Sequence, residues 1–188
     1  LEPFLPWEGM QAAPLPEALE QLGDDAPEEV LSLTIDQLID SIWKPYISTL
    51  TTSPQTLLQG DPDIGNTYLL PSGEVGFLDW QVARRGNWSL DVGYFLQGAL
   101  TVEDRRRSER DLLEEYRGVR GLPAGELPNS DKIWPRYRAS VAHGLTLWLV
   151  TASAGAWQRR DIAIALAQRY SFAYADLDTA SALEEVTR

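Results

Sequence analysis

Apolar positions come in two rhythms along this chain, and the change of rhythm marks the elements. After Pro27, which suits a helix's first turn, Val30, Leu31, Leu33, Ile35, Leu38, Ile39, Ile42 and Trp43 recur at mostly helical spacing. That predicts one helix of about 18 residues, ended or kinked at Pro45. The rhythm then shortens: a buried strand over Thr56 to Leu58, a loop over 60–66, and two short runs at 67–70 and 75–79. "PSGE" between those runs offers Pro for an early turn position and Gly for positive φ, so a hairpin is expected. A polar loop follows over 81–89.

Helical spacing returns in "SLDVGYFLQGAL", which reads as a buried helix. "TVED" resembles a capping box opening a charged helix to about Arg117. Its run "EDRRRSERD" mixes signs and predicts a solvated face, not a nucleic-acid patch. Gly121 to Pro128 reads as a loop, and helices near 131–153 and 157–177 close the chain. Residues 1–26, rich in proline with a helical turn at 16–22, read as a connecting segment ahead of a domain over 27–188. The fold class expected is α+β, mainly α: a helical bundle with one small antiparallel hairpin.

The candidate chemistry lies around that hairpin. In "QGDPDIGN" Pro62 biases Asp61 toward an extended backbone, and Asn66 closes the same loop. The second run delivers Asp79 at the end of "VGFL", where partial burial is expected. Two carboxylates about 6 Å apart repel by roughly 3 kcal/mol at an effective dielectric near 20, and a divalent cation reverses that sign. An amide and a carboxylate are oxygen ligands of the kind Mg²⁺ takes while keeping phosphates and waters. Taken singly, each residue also reads as a loop, turn or strand-end polar group capping backbone amides.

A catalytic Asp, an Asn five residues later and a further Asp after a short hairpin make up the constellation of kinase chemistry. The run Leu57 to Leu96, with "QGDPDIGN", "FLDW" and "GNWSLDVGYFL", resembles the catalytic core of the aminoglycoside phosphotransferase and choline kinase-like superfamily. The resemblance implies a protein kinase-like C-terminal lobe. In it Asp61 is the catalytic base, Asn66 and Asp79 are the metal ligands, and Asp91 braces the catalytic loop through backbone amides. Gln59 stands where the family usually has His and supports the loop. Asp63 also stands where His is common, and adds either repulsion or a further metal contact. The cofactors implied are Mg²⁺ and ATP, and the acceptor is a hydroxyl of a small molecule.

No Gly-rich phosphate loop precedes Asp61, and the only lysine there, Lys44, falls in a predicted helix. The resemblance therefore implies the C-terminal lobe without its N-terminal lobe, inactive alone, with self-association through the uncovered cleft face. A non-catalytic kinase-like binding module is the second reading. Trp148, Trp134 and Tyr137 could line an acceptor pocket or be core, His143 reads as a helix residue more than a base, and Arg84 and Arg85 could approach phosphates from the loop after Asp79 but read first as solvated surface.

Composition narrows the partners. The sequence has no Cys and one His, which excludes disulfides, thiolate zinc sites and multi-histidine metal sites. A net charge of −12 works against nucleic-acid binding and mildly favours cationic small partners. No charged-then-apolar leader opens the chain and no apolar run reaches the roughly 18 residues of a membrane span, so the expected location is the cytoplasm.

Overall fold

The computed structural model describes residues 15–23, 26–52, 55–118, 130–154 and 157–188. The prolines up to Pro14, the chain's opening residues and the loop expected at Gly121 to Pro128 lie outside the described residues.

The body is helical, built around α6 (Ser130–Ala154), on which α1 (Leu15–Leu22), α4 (Ser89–Ala99), α7 (Arg160–Asp176) and α8 (Thr179–Thr187) all pack. Tyr137, Ala142, Leu145 and Leu149 of α6 are fully buried, so this helix is the centre of the core. Among the described residues no helix is long and apolar enough to cross a membrane. Helix α1 falls within the expected connecting segment, and its Leu15, Ala18, Leu19 and Leu22 sit in the core cluster. Helices α4, α6 and α7 meet at Tyr170, whose ring lies against Gly98 and Gly144 and whose hydroxyl donates to the Tyr94 carbonyl (2.6 Å).

The single helix expected from Pro27 to Pro45 is not formed. A one-turn α2 (Glu28–Leu31) stops at Ser32, and a π-helical segment (Gln37–Trp43) runs on into α3 (Lys44–Thr49). Two local causes are visible. Thr34 caps the second segment, exchanging bonds with Gln37 (Thr34 N to Gln37 Oε1 2.9 Å, Gln37 N to Thr34 Oγ1 3.2 Å), which favours restarting there. Pro45 has no N–H to offer the preceding turn, and the wider π spacing ahead of it, with Lys44 N–H bonded to Ile39 O, lets the helix pass through it.

The strands are β1 (Gln55–Leu58), β2 (Thr67–Leu69), β3 (Val75–Phe77) and β4 (Arg84–Asn87). Hairpin β2–β3 pairs Leu69 with Val75 across the expected turn, with Gly73 at φ 88° and Leu70 N–H bonded to Glu74 O (2.8 Å). The expected polar loop over 81–89 instead contains β4, which pairs antiparallel with β1 from Gln55↔Asn87 to Leu58↔Arg84. Only Leu58 of β1 is buried; Leu57 is exposed.

Half of the expected capping box is present at Thr101, whose hydroxyl accepts from Asp104 N–H (3.1 Å), while the Asp104 carboxylate accepts from that hydroxyl (3.0 Å). The charged helix it opens, α5 (Val102–Gly118), is not solvated all round as expected. Arg105 is 1% exposed, and Glu109 beside it is buried too. Arg105 donates to Glu109 (3.0 Å) and to Asp176 of α7, while Tyr137 donates to the same Glu109 oxygen (3.0 Å). Arg106 completes the balance with two bonds to Asp176 (2.7 and 2.9 Å).

Candidate functional site

The expected site residues lie on three segments joined by hydrogen bonds. Asp91, in the first turn of α4, accepts from the backbone N–H groups of Gln59 (2.6 Å) and Gly60 (3.1 Å). Gln59 is buried and spends its whole amide on backbone: Nε2 donates to the carbonyls of Leu78 (2.9 Å) and Asp79 (2.8 Å), and Oε1 accepts from Asp61 N–H (2.6 Å). The two loops are thereby fastened to each other and to the bundle. Gly60 makes the fit possible: its φ is 92°, and a Cβ there would overlap the Val82 carbonyl oxygen.

Asn66 faces back into its own loop. Its Nδ2 donates to the Asp61 carbonyl (2.9 Å) and, more weakly, to the Asp61 carboxylate (3.4 Å), which leaves Oδ1 as the atom it can present outward. Its carbonyl accepts from Leu78 N–H (2.7 Å), which brings the end of β3 alongside. Asp63 caps the short 3₁₀ turn Ile64–Asn66 by accepting from Gly65 N–H (2.8 Å).

Asp79 differs from expectation in burial. It is exposed, and so are Leu78 and Trp80 on either side of it, with nothing among the described residues packed over that flank of the hairpin. Its backbone is left-handed (φ 51°, ψ 64°), a conformation that Asp tolerates better than most residues and that tends to occur where side-chain direction matters.

Asp61, Asp63, Asn66 and Asp79 all line one cavity of about 700 Å³, which extends to Tyr94 and Trp148. Burial raises the Asp61 carboxyl above the usual carboxylate range, and the Asp63 charge pushes it further the same way. Burial also raises Asp91, to about 6, against the two backbone N–H bonds and the charge of Arg84, which pull it down.

Among the described residues no three His, Asp or Glu side chains group tightly enough to hold a metal unaided. A hard cation would take Asn66 Oδ1 and the Asp79 carboxylate and complete its shell from waters and a ligand. That donor set fits Mg²⁺.

Sequence reasoning missed Tyr94 and favoured solvated surface for Arg84, which is instead half-buried on β4, where its charge acts on Asp91 and Asp61. Tyr94 follows Asp91 by one helical turn, and that spacing was the available signal. Of the aromatics weighed for a pocket, Trp148 lines the cavity, whereas Tyr137 is fully buried and Trp134 stacks on it (5.6 Å) beneath Arg110. His143 is buried against Tyr94 (5.6 Å between ring centres); burial, aided by the Arg84 charge, lowers its imidazole to about 3, so it stays neutral.

Asp91 gives a testable pH dependence. Its folded pKa of about 6 lies above its value in an unfolded chain, so the folded state holds the extra proton between roughly pH 4 and 6. The buried charge therefore lowers stability above pH 6, and the penalty is relieved as pH falls. Asp91→Asn carries no such charge. Its stability relative to the parent is expected to drop by about 2 kcal/mol between pH 7.5 and pH 4, read from urea midpoints. A difference independent of pH would show that the carboxylate is not so perturbed.

Compared with protein-family models, curated proteins and solved structures, the chain matches none of them.

Proposed function

We propose that this chain is the C-terminal lobe of an ATP- and Mg²⁺-dependent phosphotransferase acting on a hydroxyl of a small molecule. One observation carries the reading: Asp61, Asn66 and Asp79, from two loops that Gln59 fastens together and Asp91 anchors, open onto a single cavity. Asp61 accepts the hydroxyl proton, and its raised pKa makes it a stronger base than an ordinary carboxylate. Asn66 Oδ1 and the Asp79 carboxylate would hold Mg²⁺. Bound Mg²⁺ would supply charge neutralisation for the phosphoryl group in transfer.

The exposed apolar side chains Leu69, Val75, Leu78 and Trp80 along the hairpin suit a surface covered by another lobe, or by a second copy of this one. The second reading, a non-catalytic binding module, rests on Gln59 standing where the resemblance expects His.

Calorimetry with Mg²⁺ and ATP tests the proposal. The 188-residue chain is expected to bind Mg·ATP weakly, and Asp79→Ala to abolish the Mg²⁺ dependence of that binding. In any form of the protein that turns over, Asp61→Asn is expected to lower turnover about 10²-fold or more with little change in nucleotide affinity. Nucleotide binding that is equally strong in Asp79→Ala would refute the metal role. Full turnover in Asp61→Asn would leave the binding module as the better reading.

A further inference from the structure

The loop that carries Asp61 separates two cavities. Asp61, Asp63, Asp79 and Tyr94 line the one described above, whereas Gln59, Pro62, Trp80 and Asp91 line a second, of about 530 Å³. No described residue lines both. Helix α4 repeats the division, with Tyr94 on one side and Val92 and Phe95 on the other. The second cavity has the size and the lining of a ligand pocket, since such pockets hold roughly 300 to 1,000 Å³ and are mostly apolar with a few polar groups. Its apolar wall comes from three elements: Phe77 of β3, Phe95 of α4, and Leu112 and Tyr116 of α5. Phe77 and Phe95 already meet edge to face, with ring centres 5.9 Å apart, so that wall is preformed. Trp80, half-exposed, spends its indole N–H on the Phe77 carbonyl (3.0 Å) and has only ring surface left to offer.

Charge selects the occupant. Asp91 and Glu115 line this compartment, and among the described residues no Lys or Arg does. Asp91 is answered by two backbone N–H groups and by the Arg84 charge. Glu115 is not answered. It is exposed on α5 and has no ion-pair partner among the described residues, since the nearby Arg117 pairs with Glu114 (2.9 Å). An unspent carboxylate on an aromatic pocket attracts a cation, by its charge and through the π faces beside it, and repels an anion.

We propose that this second compartment is a binding site for a small apolar molecule carrying one positive charge, an arylalkylamine, with its ring among Phe77, Phe95 and Leu112 and its ammonium group at Glu115. The inference does not rest on the phosphotransferase reading. Gln59, Pro62 and Asp91 belong to the same wall, so an occupant also touches, from behind, the fastening that holds Asp61 in place.

The test titrates the isotope-labelled 188-residue chain, followed by NMR, with three molecules that share one ring system: tryptamine, tryptophol and indole acetate. Tryptamine is expected to bind and to shift the Trp80 indole N–H and the Gln59 and Gly60 amides. Tryptophol, without the charge, should bind about 2- to 5-fold more weakly, and the anionic acetate not measurably. Glu115→Gln changes an exposed side chain and should bring tryptamine down to the affinity of tryptophol while leaving tryptophol unaffected. Leu112→Trp, which fills the compartment, should abolish the binding of both. Three results would overturn the inference: none of the three molecules shifts those signals, indole acetate binds as tightly as tryptamine, or Glu115→Gln leaves tryptamine binding unchanged. Shifts at the Trp148 and Trp157 indoles in place of Trp80 would overturn it too, because the amine would then sit in the Asp61 cavity. Mg·ATP binding is read through Asp79, which lines the other cavity, so either proposal can fail while the other stands.

Discussion

Replacing Arg105 with alanine is expected to destabilise the fold by about 3 to 5 kcal/mol, read as a fall in the urea midpoint at unchanged slope. The guanidinium is almost wholly buried and answers two carboxylates, Glu109 on its own helix and Asp176 on α7. Without it Glu109 stays buried with only the Tyr137 hydroxyl to balance a full charge. That unpaired charge, more than the lost attraction, sets the size of the effect. Two comparisons separate the causes. Arg106 binds the same Asp176 but is half-exposed, so Arg106→Ala should cost under about 1 kcal/mol. The double change Arg105→Met with Glu109→Leu removes both buried charges and should recover most of the loss. A double variant no better than Arg105→Ala would mean that the charges are not what the site depends on.

Gly60→Ala is expected to cost about 3 kcal/mol, most of it local to the Gln59–Asn66 loop. A side chain strains the left-handed backbone at φ 92°, and its Cβ would meet the Val82 carbonyl, a backbone atom that cannot rotate aside. Relief requires the loop to part from the segment between β3 and β4, and that loosens the bonds from Gln59 and Gly60 to Asp91 and from Gln59 to Asp79. Hydrogen exchange should therefore speed at the Gln59, Gly60 and Asp61 amides while the α6 core stays protected. Unchanged exchange at those amides would show that the loop absorbs a methyl group without moving.

What could be read from the sequence was what local chemistry dictates. The hairpin was legible because Pro71 and Gly73 fit one turn geometry, and the cap of α5 because Thr101 and Asp104 are three residues apart. The carboxylates and the Asn66 amide that share the cavity were legible as a set by their order and spacing. Strand β4 was not, since "RRGN" has neither alternation nor β-branched residues; only its pairing with β1 makes it a strand. The burial of Arg105 was hidden because its partner Asp176 lies 71 residues away and no local pattern announces it. The single long helix failed because its apolar spacing was read without the Thr34–Gln37 restart. Helix α8 was passed over although Thr179, Ala182 and Leu183 already carry a buried helical stripe. Tyr94 is not legible because a tyrosine in an apolar helix looks like core until it is found lining the cavity beside Asp61.

The Gln59 carboxamide also acts as a directional key. With its oxygen toward the Asp61 amide and its NH₂ toward two carbonyls, only one of its two flipped orientations satisfies all three bonds. Reversed, it would set donor against donor on one side and acceptor against acceptors on the other. A histidine performing the same task would gain a proton near pH 6.5 and could exchange one set of partners for another. The carboxamide has no proton to gain in that range. The fastening between the two loops is therefore blind to acidity, and the anchor beneath it that does titrate is the Asp91 carboxylate.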